Sequence, residues 1–170
     1  MGKKIRTNIT NCYFRFATEQ DVPLILDFIK ALAKYEKMAD QVVATEPLLY
    51  ENLFGKGQYA EVVLAFYNNI PAGFALFFHN FSTFMGRPGI YLEDLFVKEK
   101  LRGKGIGTTL LSYLARLAVE RGCARLDWAV LDWNKPSIEF YKSLNAIHLN
   151  DWMTFRLTGD PLSELAEKFD

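Results

Sequence analysis

Apolar residues recur at Val22, Ile25, Leu26, Ile29, Leu32 and Ala33, and this three-to-four spacing predicts an amphipathic helix running to about Lys34. Thr18 followed three residues later by Asp21 has the pattern of a capping box and marks its start. The run CYFRF before it predicts a short strand. Residues 35–44 are polar enough to form a loop. Thr45, Glu46 and Pro47 then open a second helix carrying Leu48, Leu49 and Leu53, which Gly55 and Gly57 end.

Further on, residues 62–67, the pair Asn68-Asn69 and residues 70–79 read as a hairpin, because asparagine tolerates the positive φ of a tight turn. A glycine-containing turn over 82–89 leads into a third long strand, 90–97. The order then changes to helix 106–121 with Gly122 as its stop, strand 124–131, helix 135–145, and two short strands near Ile147 and over 153–157. Antiparallel strands early and strand–helix alternation late predict a mixed α/β sheet in one domain spanning residues 1–170. No repeat or low-complexity linker interrupts it.

Composition narrows the function. A chain of 170 residues buries about two-thirds of its unfolded surface, so it needs no staple. Twenty basic side chains balance twenty acidic ones, and no net field draws the protein to nucleic acid or anionic lipid. Cys12 and Cys123 lie far apart and form neither a disulfide framework nor a zinc ribbon. His79 and His148 lack spaced partners, so no metal is expected. The charged start of the chain is followed by no apolar signal core, and no apolar run approaches the roughly 20 residues that span a bilayer. The expectation is a soluble cytoplasmic protein.

The most informative stretch is LFVKEKLRGKGIGTTLL, residues 95–111, an apolar strand end, a basic bend and an apolar helix. It lacks the GxxxxGK[ST] of a nucleotide P-loop, and its strictly alternating glycines are not GxGxxG. Arg102, Gly103, Lys104, Gly105, Ile106 and Gly107 instead satisfy R-x-x-G-x-G. Glycines let the backbone turn sharply and let a phosphate approach the amides, while the next helix contributes its positive end. Lys98, Lys100, Arg102 and Lys104 add charge for an anionic diphosphate. A flexible turn with solvated lysines is the alternative.

This loop resembles the acyl-coenzyme A loop of the GNAT N-acetyltransferases. The resemblance extends from about residue 13 to residue 157 and includes Arg15-Phe16-Ala17-Thr18 with Asp21, the strand YLEDLFV, Trp133-Asn134-Lys135-Pro136-Ser137 and Phe140-Tyr141-Lys142. KYEKM, YLED and the WNKPS and FYK segments look like the diamine branch, the spermidine/spermine and thialysine N-acetyltransferases. It implies a mixed, mostly antiparallel twisted sheet with helices on both faces and a splayed central strand pair. It also implies acetyl-coenzyme A, a small cationic amine and a homodimer.

Chemistry assigns roles to particular positions. An alkylammonium has a pKa of about 10.4 and must lose a proton before it can attack. Glu93 and Asp94 interrupt the apolar strand, and alternation places them on opposite faces. By resemblance Glu93 is the base and faces the amine, with Asp94 structural; an ion pair is the other reading of Glu93. Tyr141 stands where the family has its general acid, although Ile138, Tyr141 and Leu144 share a stripe that packing alone could explain.

The resemblance further assigns the coenzyme to Leu95, Phe96, Val97, the loop from Arg102 to Thr108, and Asn134, Lys135, Pro136, Ser137 and Tyr141. Asn134 could be only a helix cap. Tyr35 and Glu36 would hold the cationic amine, an aromatic face and a carboxylate being a suitable pair for it. They could also be a solvated helix end. Lys37 and the short segment 148–152, which carries only Asp151, depart from the polyamine pattern and allow a lysine-like amino acid or short diamine equally. A GNAT acting on a peptide amine, or a non-catalytic acyl-coenzyme A-binding module, are the competing readings.

Overall fold

The computed structural model of the chain describes residues 2–169. Its six-stranded sheet has the strands in chain order: β1 Ile5–Arg6, β2 Cys12–Phe16, β3 Glu61–Tyr67, β4 Ile70–Ser82, β5 Arg87–Val97 and β6 Leu126–Trp128. Neighbours are antiparallel except for β5 and β6, which are parallel. The β3–β4 connection is the expected two-residue turn, with Asn68 at φ 50° and Asn69 at φ 61°.

Helices cover both faces of this sheet. α1, Val22–Tyr35, and α2, Glu46–Phe54, pack Ile25, Phe28, Leu32 and Leu53 against Val62, Leu64 and Phe66 of β3, Phe74 of β4 and Phe96 of β5. The capping box forms before α1, where the Asp21 carboxylate accepts from the Thr18 amide at 2.8 Å and from its hydroxyl at 2.9 Å. α3, Ile106–Glu120, sets Tyr113 edge-on to Phe14 and Phe16. Those rings lie opposite Ala65 and Val63, the alternate residues of β3, and so belong to the other face. The stripe Leu110, Leu111, Leu114, Leu117 and Ala118 is buried.

Two features of β5 shape the site. Leu76 lies opposite Asp94 and Phe77 opposite Leu92, so Glu93 is the extra residue of a bulge. Pairing with β6 is confined to Ile90–Leu92 against Leu126–Trp128. The stretch from Glu93 to Val97 therefore continues past the parallel pair, as a splayed arrangement requires.

Contacts divide the chain after Ala129. The second unit holds α4, Lys135–Ser143, and α5, Asp160–Ala166. Several boundaries differ from expectation. β4 and β5 extend further into their hairpin, leaving a turn over 83–86, and the strand expected over 124–131 shortens to β6. The strands expected near Ile147 and over 153–157 are absent, since residues 146–158 form neither helix nor strand. Alternation marks a segment that could pair, but a strand persists only with a partner, and none of the described residues supplies one. β1 and α5 are too short to show a period.

Candidate active site

The bulge gathers charge that the core would otherwise exclude. Glu93 is exposed, whereas Asp94 is half-buried beside it. Burial pushes the Asp94 carboxyl up to about 6, and the charges of Glu93 and Glu36 add to the rise. Glu36 is itself raised by burial. The charges of Glu93 and Glu36, from two separate segments, thus both act on Asp94 at the point where β5 leaves β6.

Glu36 is placed there by the way α1 ends. The Met38 amide donates to the Ala33 carbonyl at 2.8 Å and the Lys37 amide to Lys34 at 3.2 Å, a Schellman arrangement with Lys37 at φ 62°. Tyr35, the last residue of α1, is half-buried and carries the Arg102 guanidinium 4.3 Å from its ring centroid. Arg102 also donates from Nε to the Val97 carbonyl at 3.0 Å. The loop residue expected at the coenzyme and the aromatic expected at the amine are therefore in contact.

The basic bend forms as its glycines require. Gly103 has φ 74° and Gly105, the N-cap of α3, has φ 80°. No side chain caps this helix, and its first intrahelical bond runs from Thr109 to the Gly105 carbonyl at 2.9 Å. The first-turn amides, including those of Ile106, Gly107 and Thr108, point outward from a helix end lacking a side-chain acceptor. A methyl group at Gly103 would meet nothing within 4 Å, so the bend is open at that residue. Lys104 lies 5.5 Å from the Tyr67 ring and Lys98 lies 5.6 Å from that of Phe28. This open, cationic helix start fits an anionic diphosphate.

On β5, Leu95, Phe96 and Val97 pair with Ala75, Phe74 and Gly73 of β4, beyond the reach of β6 pairing. Gly73 is required at this close approach, because a Cβ there would overlap the Phe96 carbonyl oxygen.

In the second unit, Asn134 is buried and caps α4, its Oδ1 accepting from the Ser137 amide at 3.4 Å. Lys135 and Pro136 form the exposed first turn. Tyr141 is half-buried, its ring centroid 5.3 Å from that of Phe140.

A family model described as the acetyltransferase (GNAT) family matches residues 27–146, most of the chain. The chain belongs to the GNAT family. It is 39% identical to a thialysine N-epsilon-acetyltransferase of Bos taurus, with 91% of this chain and 96% of the relative covered. It is 31% identical to an L-ornithine N5-acetyltransferase of Arabidopsis thaliana over 89% and 86% of the two chains. Among solved structures, an integron cassette protein from the mobile metagenome of V. cholerae superposes with TM-score 0.78 at 28% identity, covering 93% of this chain and 99% of that one. Membership in the GNAT family makes this protein an N-acetyltransferase, and acetyl-coenzyme A is that family's acetyl donor.

Among the described residues no cluster of His, Cys, Asp or Glu could hold a metal, and no helix is long and apolar enough to cross a membrane. Reading the sequence missed the titrating character of Asp94 and the Arg102–Tyr35 contact. Each arises between segments far apart in the chain, and no local spacing signals it.

Proposed function

We propose that this GNAT domain, residues 1–170, acetylates the terminal primary amine of a small cationic amino acid of the thialysine or ornithine type. The convergence of Glu36, Glu93 and Asp94 carries the reading, because a gathered negative field suits a compact ammonium ion. Relatives named for thialysine and ornithine acetylation support an amino acid over a polyamine. The relative named as a spermidine/spermine N(1)-acetyltransferase-like protein is 30% identical, with 24% of its length covered.

In this mechanism Tyr35 and Glu36 receive the amine, and Glu93 accepts its proton through a water. Acetyl-coenzyme A supplies the acetyl group as a thioester. As the amine nitrogen takes the acetyl carbon in place of sulfur, the Tyr141 hydroxyl would give its proton to the departing sulfur, and the second proton that the nitrogen loses on becoming an amide would return to Tyr141 through solvent. Leu95, Phe96 and Val97 offer backbone groups to the coenzyme's amide-bearing arm, and the loop from Arg102 to Thr108 takes its diphosphate. Asn134, Lys135, Pro136 and Ser137 line the same coenzyme. Direct transfer requires all reactants in one ternary complex.

A homodimer, which rests on the resemblance to the diamine branch, and a cytoplasmic location complete the proposal. Mass spectrometry of the product tests the acceptor: one acetyl group on the side-chain amine of thialysine or ornithine supports it. Acetylation confined to spermidine, or to a peptide amine, contradicts it.

A further inference from the structure

We propose that Arg102 is a positioning residue that ties the coenzyme loop to the amine end of the site through Tyr35. The proposal rests on the assignment of those two ends given above. Arg102 follows the turn Glu99–Leu101, its own amide bonded to the Glu99 carbonyl at 3.1 Å. Nε is committed to the Val97 carbonyl at the end of β5, and the guanidinium face lies over Tyr35. Phe96 lies behind it, 5.9 Å from the guanidinium carbon to the ring centroid.

The terminal nitrogens donate to none of the described residues. One planar side chain therefore has its edge on β5, its face on the last residue of α1 and its ends available to an anion. Arginine alone offers all three at once, since a lysine ammonium is a point charge with no face. Because Glu36 follows Tyr35 directly, holding the ring also holds that carboxylate where it acts on Asp94.

The end of α1 needs such support. Lys37 occupies the left-handed region, which side chains with a Cβ disfavour, and the terminal bonds of Lys37 and Met38 persist only while that conformation is held. Removing a contact from one side should let this turn open more often.

The test is amide hydrogen exchange in the protein without coenzyme or amine. Arg102→Gln should speed exchange at Glu36, Lys37 and Met38 by about two- to fivefold, the size expected of an exposed cation–π contact, while amides of β3 keep their rates. Tyr35→Leu should do the same, and Arg102→Gln with Tyr35→Leu should exceed neither single change. In turnover, Arg102→Gln at saturating acetyl-coenzyme A should raise the amine KM more than it lowers kcat.

Unchanged exchange in Arg102→Gln, or additive effects in the double variant, would each overturn the coupling. A loss confined to kcat would do the same. Exchange is read without any acceptor, so the proposal can fail in an active enzyme or hold in a protein that ignores every amino acid tried.

Discussion

The charge of Glu36, just beyond the end of α1, acts on the Asp94 carboxyl of β5 although the two belong to separate segments. Burial is the main reason that the Asp94 carboxyl rises to about 6, Glu93 adds to it, and Glu36 contributes the rest. A raised carboxyl favours its neutral form in the folded protein. Its contribution to stability is full below the ordinary value of 3.8 and is lost as pH rises through about 6. The difference between those values corresponds to about 3 kcal/mol. Asp94→Asn should therefore gain about that much over wild type between pH 4 and pH 7 in urea unfolding. A constant gap between the two proteins across that range would show that Asp94 does not titrate in this way.

Proton transfer separates the two proposed catalytic groups. Glu93→Gln should remove general-base catalysis at neutral pH, lowering kcat/KM by about 10²–10⁴-fold, with partial recovery at high pH where free amine is abundant. Tyr141→Phe should lower kcat with coenzyme affinity intact. Full turnover in the phenylalanine variant would remove Tyr141 as the acid, and an unaltered pH–rate profile in the glutamine variant would move the base elsewhere.

Gly105 is strained by any side chain but crowded by none, since a Cβ there comes no nearer than 3.6 Å to Ile9. Gly105→Val at φ 80° should cost about 1–2 kcal/mol of stability. Coenzyme affinity, measured by calorimetry, should fall by more than about tenfold because charge-assisted amide bonds are lost. Unchanged affinity would refute the diphosphate cradle.

Gly73 makes the opposite case, with no room rather than no permitted angle. A methyl group there meets the Phe96 carbonyl oxygen and Val97 Cα, both backbone atoms that cannot swing aside. Gly73→Ala should cost about 1–3 kcal/mol and lower the thermal midpoint by several degrees. An unaltered melt would show that β4 and β5 separate freely at this end.

Local pattern carried much of this architecture. The Thr18–Asp21 box, the Asn68–Asn69 turn, the buried stripe of α3 and the glycines at its start are each set by neighbours within a few residues, and each forms where the spacing indicates. Strict alternation fails at Glu93, because a bulge depends on register with β4 and leaves no mark in the strand itself. The segment 153–157 alternates suitably yet finds no strand to pair with among the described residues. At the site, the family resemblance singles out Glu93 and the Tyr35-Glu36 pair, while the packing of α1 against the sheet brings Glu36 to Asp94 and Arg102 to Tyr35.

The central claim is acetyl transfer to a compact amino-acid amine, and coenzyme A release from acetyl-coenzyme A addresses it directly, with thialysine, ornithine, lysine, spermidine, spermine and a lysine-containing peptide as acceptors. The account predicts the highest kcat/KM with thialysine or ornithine and much lower values with spermine and the peptide. Tight acetyl-coenzyme A binding without release on any acceptor, or a clear preference for the peptide, would contradict it.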